Sequence, residues 1–250
     1  MLGSLLKGIV NYKKSRKIDL KTLPSRGLFY PDDLTIRVTE ASEDDITYYK
    51  ANYISDSIYI IRLIKIIVKN NTILSKGYDF FDISSIDIMY IFFEILKYTN
   101  SDEILIYYPN GSIMFNTHNF KYFELTDEIM SHYNKKEKCF DIKGFKYKTP
   151  CIGIEQSTTK FITDSVEKGD LEDVKDKEYD FMYFMGDKKH LTYEEIYNIL
   201  TVFNEDLDDE DKETISEIMS MFKGMNNYEL ITPDNDIVEM SSLDLSKVWD

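Results

Sequence analysis

Residues 23–38, LPSRGLFYPDDLTIRV, mark the point where a basic leader gives way to a folded body. Pro24 fixes its own φ and pushes Leu23 toward an extended conformation. Gly27 tolerates positive φ, so Pro24-Ser25-Arg26-Gly27 predicts a tight turn. Leu28, Phe29 and Tyr30 supply apolar surface to pin that turn to a core, and Pro31-Asp32-Asp33 makes a second turn. Leu34, Ile36 and Val38 then alternate with Thr35, Arg37 and Thr39. That is the period-two signal of a half-buried strand, and on local grounds an edge strand.

Upstream of this stretch the charge is one-sided. Lys7, Lys13, Lys14, Arg16, Lys17, Lys21 and Arg26 face the single acid Asp19, although the 250-residue chain carries a net charge of −15. The body is therefore strongly acidic. It repels nucleic-acid phosphate and favours protein partners, above all those with basic surfaces. Residues 2–10, LGSLLKGIV, with the basic run Lys13–Lys17, read as a docking arm or a membrane-surface anchor. A frayed terminus with solvated charges is the simpler account. The short apolar part precedes the charges, unlike a secretory signal. Ile58–Val68 and Ile86–Leu96 are broken by charge and too short to span a bilayer, so a soluble protein is expected. Cys139 and Cys151 are too few for a disulfide framework and fit a reduced cytoplasm.

Downstream, Ser42 caps a helix running to about Tyr53, with Glu43, Asp44 and Asp45 in its first turn. A second helix covers about 56–70 and a third about 84–98. The second carries one polar stripe, Arg62, Lys65 and Lys69. The third carries Asp87, Tyr90, Glu94 and Lys97, and Ser84 with Asp87 resembles a capping box. Helices apolar around most of their circumference are buried from several sides. Each large side chain they bury is worth about 1.5–3 kcal/mol, so these two are the expected core.

Ile104–Tyr107 and Ser112–Phe115 flank Tyr108-Pro109-Asn110-Gly111, a hairpin signal. A short helix follows Thr126. Phe140–Ile142 and Phe145–Tyr147 flank Lys143-Gly144 as a second hairpin, with the lysines of residues 143–148, KGFKYK, facing solvent rather than a stacked base. Helices are expected over Glu155–Lys168, from Thr192-x-x-Glu195 to about Phe203, and around Ile215, Ile218, Met219 and Phe222, the last stopped by Gly224. Residues 170–178 and the acidic turn Glu205–Asp211 read as solvated. Helix followed by a Pro-Asx hairpin occurs twice, at 84–113 and again before Asn226–Val238, which suggests one helix-hairpin unit per half. The whole predicts an α+β protein with a mostly helical core and small antiparallel β-hairpins. Its divisions are a basic arm at 1–22, an α+β domain at 23–150 and a mostly helical domain at 151–250 ending in a hairpin.

Chemistry is sparsely signalled. His118, His132 and His190 share no ligand spacing, and neither cysteine has a CxxC partner, so no metal is expected. Phosphate-cradling, dinucleotide, nucleophile-elbow and metalloprotease motifs are missing. Residues 205–211 lack the central glycine and the terminal glutamate of a calcium loop. No cofactor and no catalytic residue is assigned.

Leu23-Pro24-Ser25-x-Gly27-x-x-Tyr30, with its strand and acidic helix start, resembles the baseplate hub subunit and hub assembly proteins of T-even-type tailed phages. Gly224-Met225-Asn226 and Leu243–Trp249 resemble the ending of that family. The likeness spans about 18–108 and 191–249, and 115–178 is not placed by it. Several family members carry CxxC zinc knuckles on their hairpins, whereas here the tips are Pro109-Asn110-Gly111 and Pro233-Asp234-Asn235. The resemblance implies a non-enzymatic factor in hub assembly, in the host cytoplasm, binding other baseplate and tail proteins, with an oligomer left open. Its rivals are a permanent subunit of the virion, a hydrolase built on acidic residues, and an acidic mimic of nucleic acid. The candidate docking residues are Lys13, Lys14, Arg16, Lys17, Arg26, Phe29 and Tyr30. Phe29 and Trp249 are natural anchors if exposed, with core the expected place for Trp249.

Overall fold

The computed structural model describes residues 15–100, 104–115, 119–168, 176–203, 207–225, 227, 229–239 and 242–249. Lys13, Lys14 and the apolar stretch before them lie outside these. The protein is α+β: seven α-helices and four small antiparallel sheets among the described residues. β1 (Arg16–Lys17) and β3 (Thr72–Leu74) pair with the two edges of β2 (Ile36–Val38). The strand expected at an edge is therefore central, and Leu34, Ile36 and Val38 face inward as their alternation requires.

The helices form where caps and periodicity place them. Ser42 and Asp45 close a reciprocal capping box on α1 (Glu43–Asn52). Asp56 accepts from the backbone N–H groups of Ile58 and Tyr59 to start α2 (Ser57–Asn70). Thr192 and Glu195 do as Ser42 and Asp45 do. Two expectations fail. The face of α2 bearing Ile58 (62% exposed), Tyr59 (53%) and Ile66 (38%) looks into solvent, because the helix packs inward through its other side, Leu63, Ile64, Ile67 and Val68 with Ile60 and Ile61 partly buried beside them. In α3 (Ile88–Thr99) the reverse holds: Ile88 through Leu96 are all buried, including Tyr90 and Glu94 of the supposed polar stripe. Glu94 survives there beside the Lys97 ammonium, 3.3 Å away.

The hairpins stand as expected: β4 (Leu105–Tyr108) with β5 (Gly111–Met114), and β7 (Cys139–Ile142) with β8 (Phe145–Tyr147). β6 (Tyr133–Asn134) adds a third strand to the latter after the short α4 (Asp127–Ser131). The chain continues with α5 (Ile152–Lys168), a 3-10 run over Asp176–Phe184, α6 (Tyr193–Thr201) and α7 (Asp209–Met221). Helix α7 absorbs the end of the acidic run, with Asp208 as its N-cap. It is followed by β9 (Glu229–Ile231) paired with β10 (Ile237–Glu239).

The two helix-hairpin units complete each other. The segment leaving the first hairpin bridges to the second, Phe120 against Leu230, with Lys121 N–H donating to the Glu229 carbonyl at 3.1 Å. The segment leaving the second returns to the first, Asp244 against Tyr107, with Asp244 N–H donating to the Tyr107 carbonyl at 2.8 Å. Leu243, Leu245, Val248 and Trp249 thereby enter the same buried cluster as α2, α3 and the β1–β3 sheet. Ile18 and Ile152 belong to that cluster too. This cluster therefore draws on residues before 22 and on both sides of 150/151. A second cluster joins β7, β8 and α7 around Phe140 and Phe222, and a third joins α5, α6 and Phe181.

Trp249 packs edge-on to Tyr49 and Phe92, and the Tyr49 hydroxyl donates to the Leu245 carbonyl at 3.1 Å. Replacing Trp249 by Ala should cost about 3–5 kcal/mol. Urea unfolding should show a lowered midpoint with an unchanged slope. A loss under about 1 kcal/mol would mean that the tail is a peripheral attachment.

Candidate functional site

The residues singled out at 23–30 build the interior. Leu23 carbonyl accepts from Arg26 N–H at 2.8 Å, and Ser25 carbonyl from Leu28 N–H at 3.0 Å. The second of these turns needs positive φ at both central residues, Arg26 at 52° and Gly27 at 73°. A Cβ on Gly27 would also come within 3.0 Å of Leu20 Cβ. This double turn delivers Ser25 and Tyr30 to Asp87, which is fully buried at the start of α3. Ser25 N–H donates to Asp87 Oδ1 at 2.9 Å, Ser25 Oγ to Oδ2 at 2.7 Å and Tyr30 Oη to Oδ2 at 2.6 Å. Tyr30 Oη in turn accepts from Ser84 N–H at 3.0 Å, and Ser84 Oγ shares a 2.7 Å hydrogen bond with Thr149 Oγ1. Ser84 and Asp87 therefore do not cap a helix, as their spacing suggested; each spends its side chain on a distant segment. Burial pushes the Asp87 carboxyl up to about 6 against the pull of the Tyr30 and Ser25 donors. Burial also raises the Tyr30 hydroxyl well above its ordinary value, and the Asp87 charge adds to that.

Phe29 and Tyr30 are each 3% exposed, so they are core residues that reach the surface only where they line a cleft beside the Asp87 network. The cations of the list divide. Arg16 lies over the Tyr98 ring at 4.8 Å, and Arg26 donates to the Phe123 carbonyl at 3.0 Å, while Lys17 is exposed.

A cleft of about 420 Å³ opens beside the Asp87 network, where the turn at Tyr30-Pro31-Asp32 meets the 136–138 turn, the 148–151 segment and the 182–189 loop. Pro31, Pro150, Ile154, Met182 and Met185 give it an apolar lining. Lys136, Lys138, Lys148, Lys188 and Lys189 surround that lining. Lys138 pairs with Asp32 and Lys148 with Asp187, both at 2.6 Å, and Lys189 bridges Asp79 and Asp82 at 2.9 and 2.8 Å. The hydrogen bond and charge of Lys138 hold the Asp32 carboxyl below the usual carboxylate range. The loop that carries Lys188 and Lys189 lies close against α5 because residue 153 is glycine, whose Cβ, if present, would overlap the Lys189 carbonyl oxygen. Cys151 Sγ sits 3.6 Å from that oxygen, and burial pushes its thiol up, away from the thiolate a nucleophile needs. Among the described residues no group of His, Cys, Asp and Glu is placed to hold a metal ion, and no helix is long and apolar enough to cross a membrane.

Of the residues singled out from sequence, Phe29 and Tyr30 line the cleft; its lysines were not singled out. Lys148 belongs to the KGFKYK stretch read as solvent-facing, which holds for Lys143 and Lys146 but not for Lys148, whose side chain is 17% exposed. No family model matches this chain, and searches of curated proteins and of solved structures find no match.

The Asp87 carboxyl is raised, so the folded chain keeps a proton that the unfolded chain has lost. Its contribution is therefore greatest below pH about 4 and is lost as pH rises toward 6, by about 3 kcal/mol in all. Urea unfolding of the protein and of Asp87→Asn across pH 4–7 should show their stability difference moving by that amount in favour of the variant as pH rises. A pH-independent difference would place the titration elsewhere.

Proposed function

We propose that this chain is a non-enzymatic assembly factor of a tailed-phage baseplate hub, acting in the host cytoplasm by binding other baseplate and tail polypeptides. One observation carries the proposal. The two stretches that resemble the hub family, far apart in sequence, supply structural parts of one core. Leu23, Ser25, Gly27 and Tyr30 make the double turn that clasps Asp87. Leu243, Leu245 and Trp249 seal the cluster that Leu23 and Tyr30 also enter. Residues that specify a fold are the ones by which a family would be recognised, so the likeness rests on more than surface turns.

The binding role draws support from the surface. Ile54, Ile58 and Tyr59 are each more than half exposed around the start of α2, an apolar exposure of the kind that partners cover. The cleft favours holding over turnover, since most of its lysines are already matched by carboxylates and its thiol is kept protonated. The mechanism is mass action: the chain binds an intermediate, stabilises it by occupancy, and is displaced or retained when the next subunit arrives.

In infected cells the chain should co-purify with identified baseplate hub proteins and be missing from finished particles when both are quantified by mass spectrometry. Fixed stoichiometry in the particle would make it a permanent subunit instead. Association with no tail protein, together with normal particles when its gene is removed, would sink the assembly role.

A further inference from the structure

We propose that the lysine-rimmed cleft is the receptor for a short acidic and apolar segment of a protein partner. The proposal rests on the reading that this chain works by binding polypeptides, and it names the chemistry of what is bound.

The ion pairs around the cleft are lopsided. The side chain of Lys138 is 16% exposed and that of its partner Asp32 is 84% exposed. For Lys148 and Asp187 the values are 17% and 82%. In both pairs the ammonium is fixed in the wall, and the carboxylate reaches it from solvent. The β7–β8 register sets Phe140 opposite Tyr147, so Lys138 and Lys148 flank the open end of one hairpin. Lys136 stands on the same turn as Lys138 and has no carboxylate partner among the described residues.

Exposed carboxylates hold such lysines weakly, because solvent screens the pair and flexible ends must be ordered. A partner's carboxylates can take their place and leave Asp32 and Asp187 in water, at little cost. What the exchange adds is burial of the partner's apolar side chains against exposed Pro31 and the half-buried Met182 and Met185. The volume, about 420 Å³, suits a few residues of extended chain. Asp32, Asp82, Glu137 and Asp187 line the cleft beside its five lysines, so what it offers an anionic segment is Lys136 and the two lysines, Lys138 and Lys148, whose own carboxylates are exposed and replaceable.

The test is a titration of the isotope-labelled full chain, followed by backbone amide NMR, with a short blocked peptide of alternating glutamate and leucine. Its glutamine counterpart, inorganic phosphate and a short oligonucleotide serve as comparisons. The glutamate peptide should shift amides at 136–139 and 148–151. Lys138→Gln/Lys148→Gln should weaken it about tenfold, and Lys138→Arg/Lys148→Arg should retain it. Asp32→Asn/Asp187→Asn should tighten it, since the internal competitors are gone; a fold defect would not do that. Equal binding of the glutamine peptide, indifference to the lysine pair, no gain in the asparagine variant, or tighter binding of phosphate or oligonucleotide at the same amides would overturn the proposal. The titration needs only the purified chain, so its failure bears on the cleft and not on the assembly role, which the particle measurement decides.

Discussion

A carboxylate removed from water must be met by donors on all sides, and Asp87 imposes that condition on three separate parts of this chain. Its donors come from the 23–30 double turn, 62 and 57 positions away for Ser25 and Tyr30. Tyr30 is held in turn by Ser84, and Ser84 is tied to Thr149. An unmatched charge at this depth would cost several kcal/mol, so the three segments have one mutual arrangement that satisfies it. The left-handed conformation at Arg26 is explained the same way: the strain is local, and the reward lies in the donors it aims. The same arrangement runs Ser84 beside Cys151 and seats the start of α5 against the 79–83 segment. The cleft lies at this junction because three clusters of apolar residues meet there without filling it.

Much of the fold was legible because its signals are local. Ser42 with Asp45, Thr192 with Glu195, and Thr126 all cap the helices that their spacing announces. Pro109-Asn110 and Lys143-Gly144 turn the hairpins expected of them. What was not legible is long-range. Ser84 and Asp87 have capping-box spacing, yet tertiary partners outbid the local bond. Thr72–Leu74 is too short to announce a strand and is one only because β2 lies alongside. In α2 and α3 the composition is similar and the burial opposite, since periodicity says how apolar a helix is and not how many neighbours surround it. Lys148 read as an ordinary surface lysine and Lys138 was not singled out, and only the closing of β7 on β8 brings them to one opening.

The electrostatic pattern follows from how the acids are used. Many sit at helix starts, as Glu43, Asp44 and Asp45 do on α1 and Asp209, Glu210 and Asp211 on α7, where the helix dipole welcomes them. Lys138, Lys143, Lys146 and Lys148 on the sheet with β6–β8, and Lys188 and Lys189 in the 187–189 loop, each pair with a carboxylate. A strongly acidic chain thus has an uneven surface, and a partner approaching by diffusion meets very different potentials at different faces.

The crossing of the two hairpin units has a consequence during synthesis. Tyr107 receives its backbone donor from Asp244, and Tyr49 and Phe92 receive their aromatic neighbour from Trp249. The first half of the protein therefore leaves the ribosome with one strand edge uncovered and Tyr49 and Phe92 lacking that aromatic neighbour, and it stays so until residues 244–249 emerge. Folding of this core waits for residues 244–249. A chain that stops before Asp244 keeps that edge unpaired, the kind of product that chaperones and proteases take up.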